Sequence, residues 1–150
     1  MDLMHDTVVF DRTFPASPER LFQAYADPKE REIWSPPFEG TAVSIDSSDF
    51  RAGGQESARC GPVGDLKYRM EVRYHVVELG RHISFTETLW EGEMLLTVSQ
   101  STFEISPAGE GARLRLTDQM ASYIGQDGLD GHREGYARML DNLVGRFAMA

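Results

Sequence analysis

The segment from Lys67 to Val76 constrains the fold most, because apolar and polar residues alternate along its whole length. A period of two is typical of a β-strand with one face on a hydrophobic core and the other in water. Its apolar members are Tyr68, Met70, Val72, Tyr74 and Val76. Because parallel sheets are usually covered on both faces, this pattern predicts an antiparallel sheet that is solvated on one side.

Further strands are predicted on both sides of this segment, separated by turn residues. Thr7 to Phe14 is rich in β-forming residues and predicts a first strand. From Glu39 to Tyr123, strand and turn signals alternate and predict about six strands. The clearest of these, besides Lys67 to Val76, cover His82 to Trp90, Leu95 to Ser106 and Arg113 to Tyr123.

Two short helices in series are predicted after the first strand. Ser17 is a good N-cap, and the proline that follows it suits the first helical position. Asp27 and Pro28 repeat this start signal. The second helix should end near Trp34, because the sequence Ser35-Pro36-Pro37 cannot continue it.

The last predicted element is a helix from about Gly131 to Met149, whose apolar residues recur at the spacing of one buried face. That face comprises Tyr136, Met139, Leu140, Leu143, Val144 and Phe147. A single curved sheet wrapped around this helix would cover the apolar faces of both, which makes the fold α+β. Because a curved sheet cannot fit flush against a rod, we expect a cavity between them.

Composition and charge narrow the function. The 150 residues contain no repeat or linker, so residues 1–150 are expected to form one domain. A net charge of −9 disfavours nucleic acid and anionic membranes, whose phosphates repel an acidic surface. No apolar stretch has the length of a membrane-spanning helix, and the N-terminus does not resemble a signal peptide. With Cys60 as the only cysteine, these features predict a cytoplasmic protein without membrane insertion.

The sequence contains no familiar metal, phosphate or nucleophile motif. The four histidines show no i,i+4 pair and no pairing with cysteine, so neither a metal nor a cofactor is predicted. Six glycines stand at strand boundaries and are typical of turns rather than of a phosphate-binding loop: Gly53, Gly54, Gly61, Gly64, Gly109 and Gly111. Cys60 would be a nucleophile only beside a base, and a small strand residue is the simpler interpretation.

Several polar residues lie on strand phases that should face inward: Arg12, Glu87 and Asp118 on three strands, and Ser99 and Ser101 on a fourth. If the first strand pairs with the last, Arg12 and Asp118 become direct partners, with Glu87 two strands further on. One interpretation is a structural ion pair, or residues solvated at strand ends, because a lone buried charge is costly. The other is a polar wall in a mostly apolar cavity, which is typical of a small-molecule site.

Large aromatic residues are the other candidates for that cavity, although each can equally belong to the plain core. They are Trp34, Tyr68, Tyr74, Phe85 and Tyr136. Gly135, inside the last helix, would either permit close helix-to-sheet approach or leave room for a ligand.

Three segments resemble one superfamily in the same order along the chain. The stretch from Arg12 to Phe22 resembles the opening of SRPBCC proteins (START and birch-pollen-allergen-like), more narrowly bacterial proteins similar to the C-terminal domain of the heat-shock protein 90 ATPase activator. Asp49 to Gly54 is similar to that family's turn into its third strand. Leu116 to Met120 and the helix carrying Gly135 and Tyr136 are similar to its ending, where many relatives have Trp after the glycine.

The resemblance implies a helix-grip fold: a curved seven-stranded antiparallel sheet around a long C-terminal helix, two short helices between strands one and two, and an internal pocket. Members of the superfamily bind lipids, polyketides or other apolar molecules, and some catalyse cyclisation or dehydration. It has no universal catalytic residue, so the fold alone does not assign an activity.

We expect the cavity to bind a small apolar or amphipathic molecule, lipid- or polyketide-like. The expected contacts are Arg12, Trp34, Tyr68, Tyr74, Phe85, Glu87, Ser99, Ser101, Asp118 and Tyr136. The alternative is a cyclase, dehydratase or hydrolase with Glu87 or Asp118 as general base, Tyr74 as proton donor and Arg12 stabilising negative charge. The family resemblance alone suggests a third function, a co-chaperone-like interaction module. Weak homodimerisation is compatible with the residues, but none demands it.

Overall fold

The computed structural model describes residues 2–148 and shows one sheet curved around the C-terminal helix. The seven strands follow the order β1-β7-β6-β5-β4-β3-β2, and every neighbouring pair is antiparallel. The predicted helix-grip architecture is therefore confirmed. Its elements are β1 (Met4–Phe14), α1 (Pro18–Ala26), α2 (Pro28–Trp34), β2 (Thr41–Ser48), β3 (Gln55–Pro62), β4 (Tyr68–Glu78), β5 (His82–Glu91), β6 (Met94–Ala108), β7 (Gly111–Ser122) and α3 (Gln126–Ala148).

The two short helices begin and end where their capping residues predict. The side chain of Ser17 accepts a hydrogen bond from the backbone N–H of Arg20, and that of Asp27 accepts one from Lys29. Both helices have a proline in the first turn, where its missing N–H costs nothing. None of the helices in the described part of the chain combines the length and hydropathy needed to cross a bilayer.

Helix α3 begins at Gln126 rather than near Gly131, while the predicted end at Met149 lies outside the described residues. The additional turn packs close to the sheet at Gly128. A Cβ atom there would lie only 2.1 Å from the Ser122 Oγ, so this close approach requires glycine. The earlier start extends the sheet-facing side of α3 toward its N-terminus.

Register shifts in β4 and β6 change the inward phase of these strands. In β4 the register changes between Tyr74 and Val76, and Val77 packs against the core where alternation had predicted Val76. The register between β5 and β6 also changes, so that Leu96 is buried, whereas Leu95, which shares the alternation phase of Ser99 and Ser101, is half-buried. A bulge adds one residue to one strand and so exchanges the two faces beyond it.

Candidate functional site

Two adjoining cavities lie between the concave face of the sheet and the helices. The inner chamber has a volume of about 170 Å³, and the outer vestibule has one of about 410 Å³. Their common walls are Cys60, Met70, Glu87, Tyr136 and Met139. Helix α3 packs most closely on β1 and β7, and α2 packs on β2, so the space lies over the strands between them.

Glu87 is the acidic residue common to both cavities. It extends from β5 and forms no hydrogen bond or ion pair with a side chain in the described part of the molecule. The pKa of Glu87 is raised to about 8, mainly by burial and also by the Asp118 and Glu56 carboxylates, while Arg31 opposes the rise. Near neutral pH this carboxyl group is therefore largely protonated and can both donate and accept a hydrogen bond.

A buried network, the Arg31 cluster, stands at the end of the inner chamber and consists of Arg31, Glu56, Tyr74, Tyr25 and Ser48. The Arg31 guanidinium binds the Glu56 carboxylate through two contacts, of 2.5 and 3.0 Å. The hydroxyl groups of Tyr74 and Ser48 both donate to the Glu56 Oε1, at 3.0 and 2.7 Å. Arg31 also lies over the Tyr25 ring, 4.3 Å from its centroid. Both Glu56 oxygens are thus occupied within the protein.

The charges of the Arg31 cluster stabilise one another. Burial disfavours the positive charge of Arg31, yet its pKa is raised above the ordinary value because Tyr25, Tyr74 and Glu56 outweigh the burial. Burial raises the pKa of Tyr74 to about 12, so its hydroxyl remains a donor to Glu56 at neutral pH. Tyr74 is consequently engaged in the network and is not among the residues that line the two cavities.

A second buried network, the Asp118 cluster, consists of Asp118, Ser101, Tyr136 and His132. The Asp118 Oδ1 accepts a hydrogen bond from the Ser101 Oγ at 3.1 Å, and the Ser101 Oγ lies 3.2 Å from the Tyr136 hydroxyl. The His132 Nε2 is 3.3 Å from the Asp118 Oδ2 but is not aligned for a hydrogen bond. The His132 ring stacks on Tyr136, with 5.2 Å between centroids. Tyr136 lines both cavities, and its contacts with Ser101 and His132 hold its ring in place.

Burial shifts both titratable groups of the Asp118 cluster toward their neutral forms. It raises the pKa of Asp118, against the opposing effects of His132 and Ser101. It lowers the pKa of His132, although the Asp118 carboxylate opposes this change. His132 is consequently neutral at neutral pH and adds no positive charge to the vestibule.

The predicted site residues divide into those that reach the cavities and those that do not. Phe85 lines the inner chamber, Tyr68 lines the vestibule, and Glu87 and Tyr136 line both. The remaining candidates lie behind the walls or elsewhere: Trp34, Tyr74, Ser99, Ser101 and Asp118 are buried, and Arg12 is half-buried at the sheet edge. Trp34 belongs to the core, where its Nε1 donates to the Ala24 carbonyl at 2.9 Å.

The predicted contact between Arg12 and Asp118 is wrong. Strand β1 does pair with β7, but Arg12 stands opposite Leu114, whereas Asp118 stands opposite Val8. Arg12 instead lies 3.4 Å from the Asp141 carboxylate of α3. The predicted distance of two strands between Glu87 and Asp118 is correct, since β5 and β7 flank β6.

The sequence interpretation missed Arg31, Glu56 and His132. Glu56 shares its strand phase with Ala58 and Cys60, which is the same signal that identified Glu87. His132 precedes Tyr136 by one helical turn and therefore lies on the buried face of α3. Arg31 carries no comparable signal, because a basic residue in a short helix is usually solvated.

Gly135 marks the open side of α3. A Cβ atom at this position would meet no other atom within 4 Å, and the residue lines the vestibule. Of its two interpretations, room beside the helix fits these observations, whereas the close approach to the sheet occurs at Gly128.

Known proteins support this architecture along nearly the whole chain. The family model described as Activator of Hsp90 ATPase homolog 1-like protein matches residues 15–148. The solved structure of the Mll3558 protein from Rhizobium loti is 29% identical, with a TM-score of 0.81 over 97% of this chain and 99% of that one.

More distant structures share the fold. A protein from Rhizobium leguminosarum is 21% identical, with a TM-score of 0.84 over 99% of this chain and 98% of that one. Ara h 8.0201 is 10% identical, with a TM-score of 0.71 over 98% of this chain and 100% of that one. Comparison with curated proteins finds no match. The family match over residues 15–148 establishes that the chain belongs to the Activator of Hsp90 ATPase homolog 1-like family of SRPBCC proteins.

Proposed function

We propose that the protein binds a small, largely apolar molecule in the inner chamber and vestibule, with a polar group of that molecule at Glu87. The observation that supports this best is the Glu87 carboxyl group, which faces the cavities without a side-chain partner among the described residues. A buried polar group without a hydrogen bond costs free energy, so a ligand that supplies one gains affinity. Few polar groups in an apolar cavity are the usual composition of a small-molecule site.

The dimensions of the space suit such a ligand. The vestibule, at about 410 Å³, falls within the range of roughly 300–1,000 Å³ that is typical of ligand pockets. The inner chamber, at about 170 Å³, accommodates only a small part of a molecule. Because Glu87 belongs to both walls, a ligand that occupies both cavities passes this carboxyl group.

The first test is native mass spectrometry of freshly purified protein, followed by denaturing extraction and identification of any bound molecule. We expect a stoichiometric adduct of an apolar compound. Cys60 supplies a second readout, because the only cysteine of the sequence lines both cavities. A bound ligand should slow the modification of Cys60 by N-ethylmaleimide. A clean apo mass, with modification unaffected by a panel of apolar compounds, would contradict the proposal.

The pKa of Glu87 favours a second candidate function, general acid–base catalysis on a molecule bound in the same space. A carboxyl group with a pKa of about 8 can take and return a proton near neutral pH. Burial raises the pKa of Tyr136, as do the charges of Glu87 and Asp118, so its hydroxyl stays protonated and can donate. In this arrangement Tyr136 replaces Tyr74 as the proton donor, because Tyr74 is engaged in the Arg31 cluster.

Turnover separates the two functions. An enzyme should convert the molecule extracted from the protein, and Glu87→Gln should abolish that conversion while a non-reacting analogue still binds. A binding protein should return the molecule unchanged.

A further inference from the structure

We propose that the ligand carries an ammonium group, so that the protein selects hydrophobic amines over alcohols and acids of the same size. This inference rests on the ligand-binding function proposed above and adds the chemical class of the ligand. The inference is based on the charged residues around the two cavities: some are already paired within the protein, and Glu87 is not.

The charged residues along the cavity walls leave an excess of carboxyl groups. The inner chamber is lined by Arg31, Glu56 and Glu87, and the vestibule is lined by Glu87, Asp127 and His132. The guanidinium of Arg31 is already paired with the Glu56 carboxylate through contacts of 2.5 and 3.0 Å. His132 is neutral, because burial lowers its pKa. The carboxyl group common to both cavity walls, that of Glu87, therefore remains without a basic partner among the described side chains.

Glu87 is the carboxyl group for which a cationic ligand would supply the missing partner. Asp118 and Glu56 are close enough to disfavour its negative charge, and burial disfavours it more. An ammonium group beside Glu87 would favour release of the Glu87 proton to solvent. It would then supply the carboxylate with both a counter-charge and hydrogen-bond donors, which together form the stronger, charge-assisted type of contact. A ligand carboxylate would instead add a further negative charge to the same wall, and a hydroxyl group would offer only a neutral hydrogen bond.

The aromatic walls favour the same ligand. Phe85 lines the inner chamber and Tyr136 lines both cavities. The faces of such rings attract cations, an effect that strengthens when water is excluded. Asp127, at the vestibule, adds a carboxylate that attracts cations toward the opening.

Isothermal titration calorimetry with octylamine, octanol and octanoic acid tests the proposal, since the three compounds share one chain length and differ in the polar group. We expect octylamine to bind at least about tenfold more tightly than octanol, as a charge-assisted hydrogen bond predicts. Octanoic acid should bind most weakly. Glu87→Gln should weaken octylamine binding about tenfold and leave octanol within about twofold.

Glu104→Gln serves as the matched control, because Glu104 is exposed on β6 and outside both cavities. It should leave the binding of all three compounds unchanged. Equal binding of octylamine and octanol, or an undiminished octylamine affinity in Glu87→Gln, would overturn the amine proposal while ligand binding itself stands. Absence of binding by all three compounds, together with unprotected Cys60, would overturn both proposals.

Discussion

The Arg31 cluster and Glu87 face the same space, but the charged groups of the cluster are paired with one another, whereas the Glu87 carboxyl group has no side-chain partner among the described residues. The cluster holds a cation and an anion together with hydroxyl donors on the same carboxylate. Glu87 has no such partner among the described side chains, and its pKa is raised to about 8. A network with satisfied hydrogen bonds rigidifies a core, whereas an unsatisfied carboxyl group is available for a ligand or a proton. Hydrogen-bonded partners, rather than burial, distinguish the Arg31 cluster from Glu87.

Arg31→Met should have the largest effect on stability, because it leaves Glu56 buried without its counter-charge. We expect the free energy of unfolding to fall by about 3–5 kcal/mol. Urea denaturation measures the change. Arg51→Met breaks an exposed pair with Asp49 and should cost less than about 1 kcal/mol. Equal losses in the two variants would show that the Arg31 cluster is not a structural element.

Glu87→Gln should stabilise the protein, in contrast to Arg31→Met, and the gain should depend on pH. In the folded protein the pKa of Glu87 is about 8, whereas in the unfolded chain it has the ordinary value of 4.5, so the folded protein holds this proton to a higher pH. The wild-type chain therefore loses stability as the pH rises from 4.5 to 8, because unfolding releases that proton.

Above pH 8 the variant should exceed the wild type by about 2–4 kcal/mol, a figure reduced for the partial exposure of the carboxyl group to the cavity. Below pH 4.5 the two proteins should be similar in stability. Urea denaturation across this pH range measures the difference. A gain that is independent of pH would contradict the role of the Glu87 charge.

Gly135→Leu and Gly145→Leu test whether the vestibule beside Glu87 belongs to the binding site, and their expected effects on stability are smaller than those of the two preceding variants. Both glycines lie in α3 with open space around a Cβ atom, but only Gly135 lines the vestibule. Leucine is the better helix former, so each variant should gain up to about 1 kcal/mol. Only Gly135→Leu should weaken octanol binding, by about tenfold in calorimetry. Equal binding by the two variants would exclude the vestibule as part of the site.

The smallest expected effect is a change in the pKa of His132 in the Asp118→Asn variant, measured by NMR titration. Burial lowers the pKa of His132, and the Asp118 carboxylate counteracts this lowering. Asp118→Asn removes the carboxylate and should therefore lower the pKa of His132 further. A rise in that pKa would mean that the two side chains do not interact as the 3.3 Å distance between them indicates.

Much of the fold could be predicted because its signals are local. The caps at Ser17 and Asp27, the alternation along β4 and the apolar face of α3 each depend on neighbouring residues. Alternation also identified the inward phase of Glu87. The two bulges were not predicted, because one inserted residue leaves no clear mark on an apolar pattern.

The partners of the polar residues could not be predicted in the same way. Arg31 and Glu56 are 25 positions apart and lie in different elements, and the Arg12 and Asp118 pairing failed on strand register. The amino-acid sequence by itself determined the elements, their order and the inward phase of Glu87. Only the tertiary structure decided that Glu56 is paired with Arg31 while Glu87 has no basic partner among the described side chains, because a charged contact depends on register and helix position to within a few ångströms.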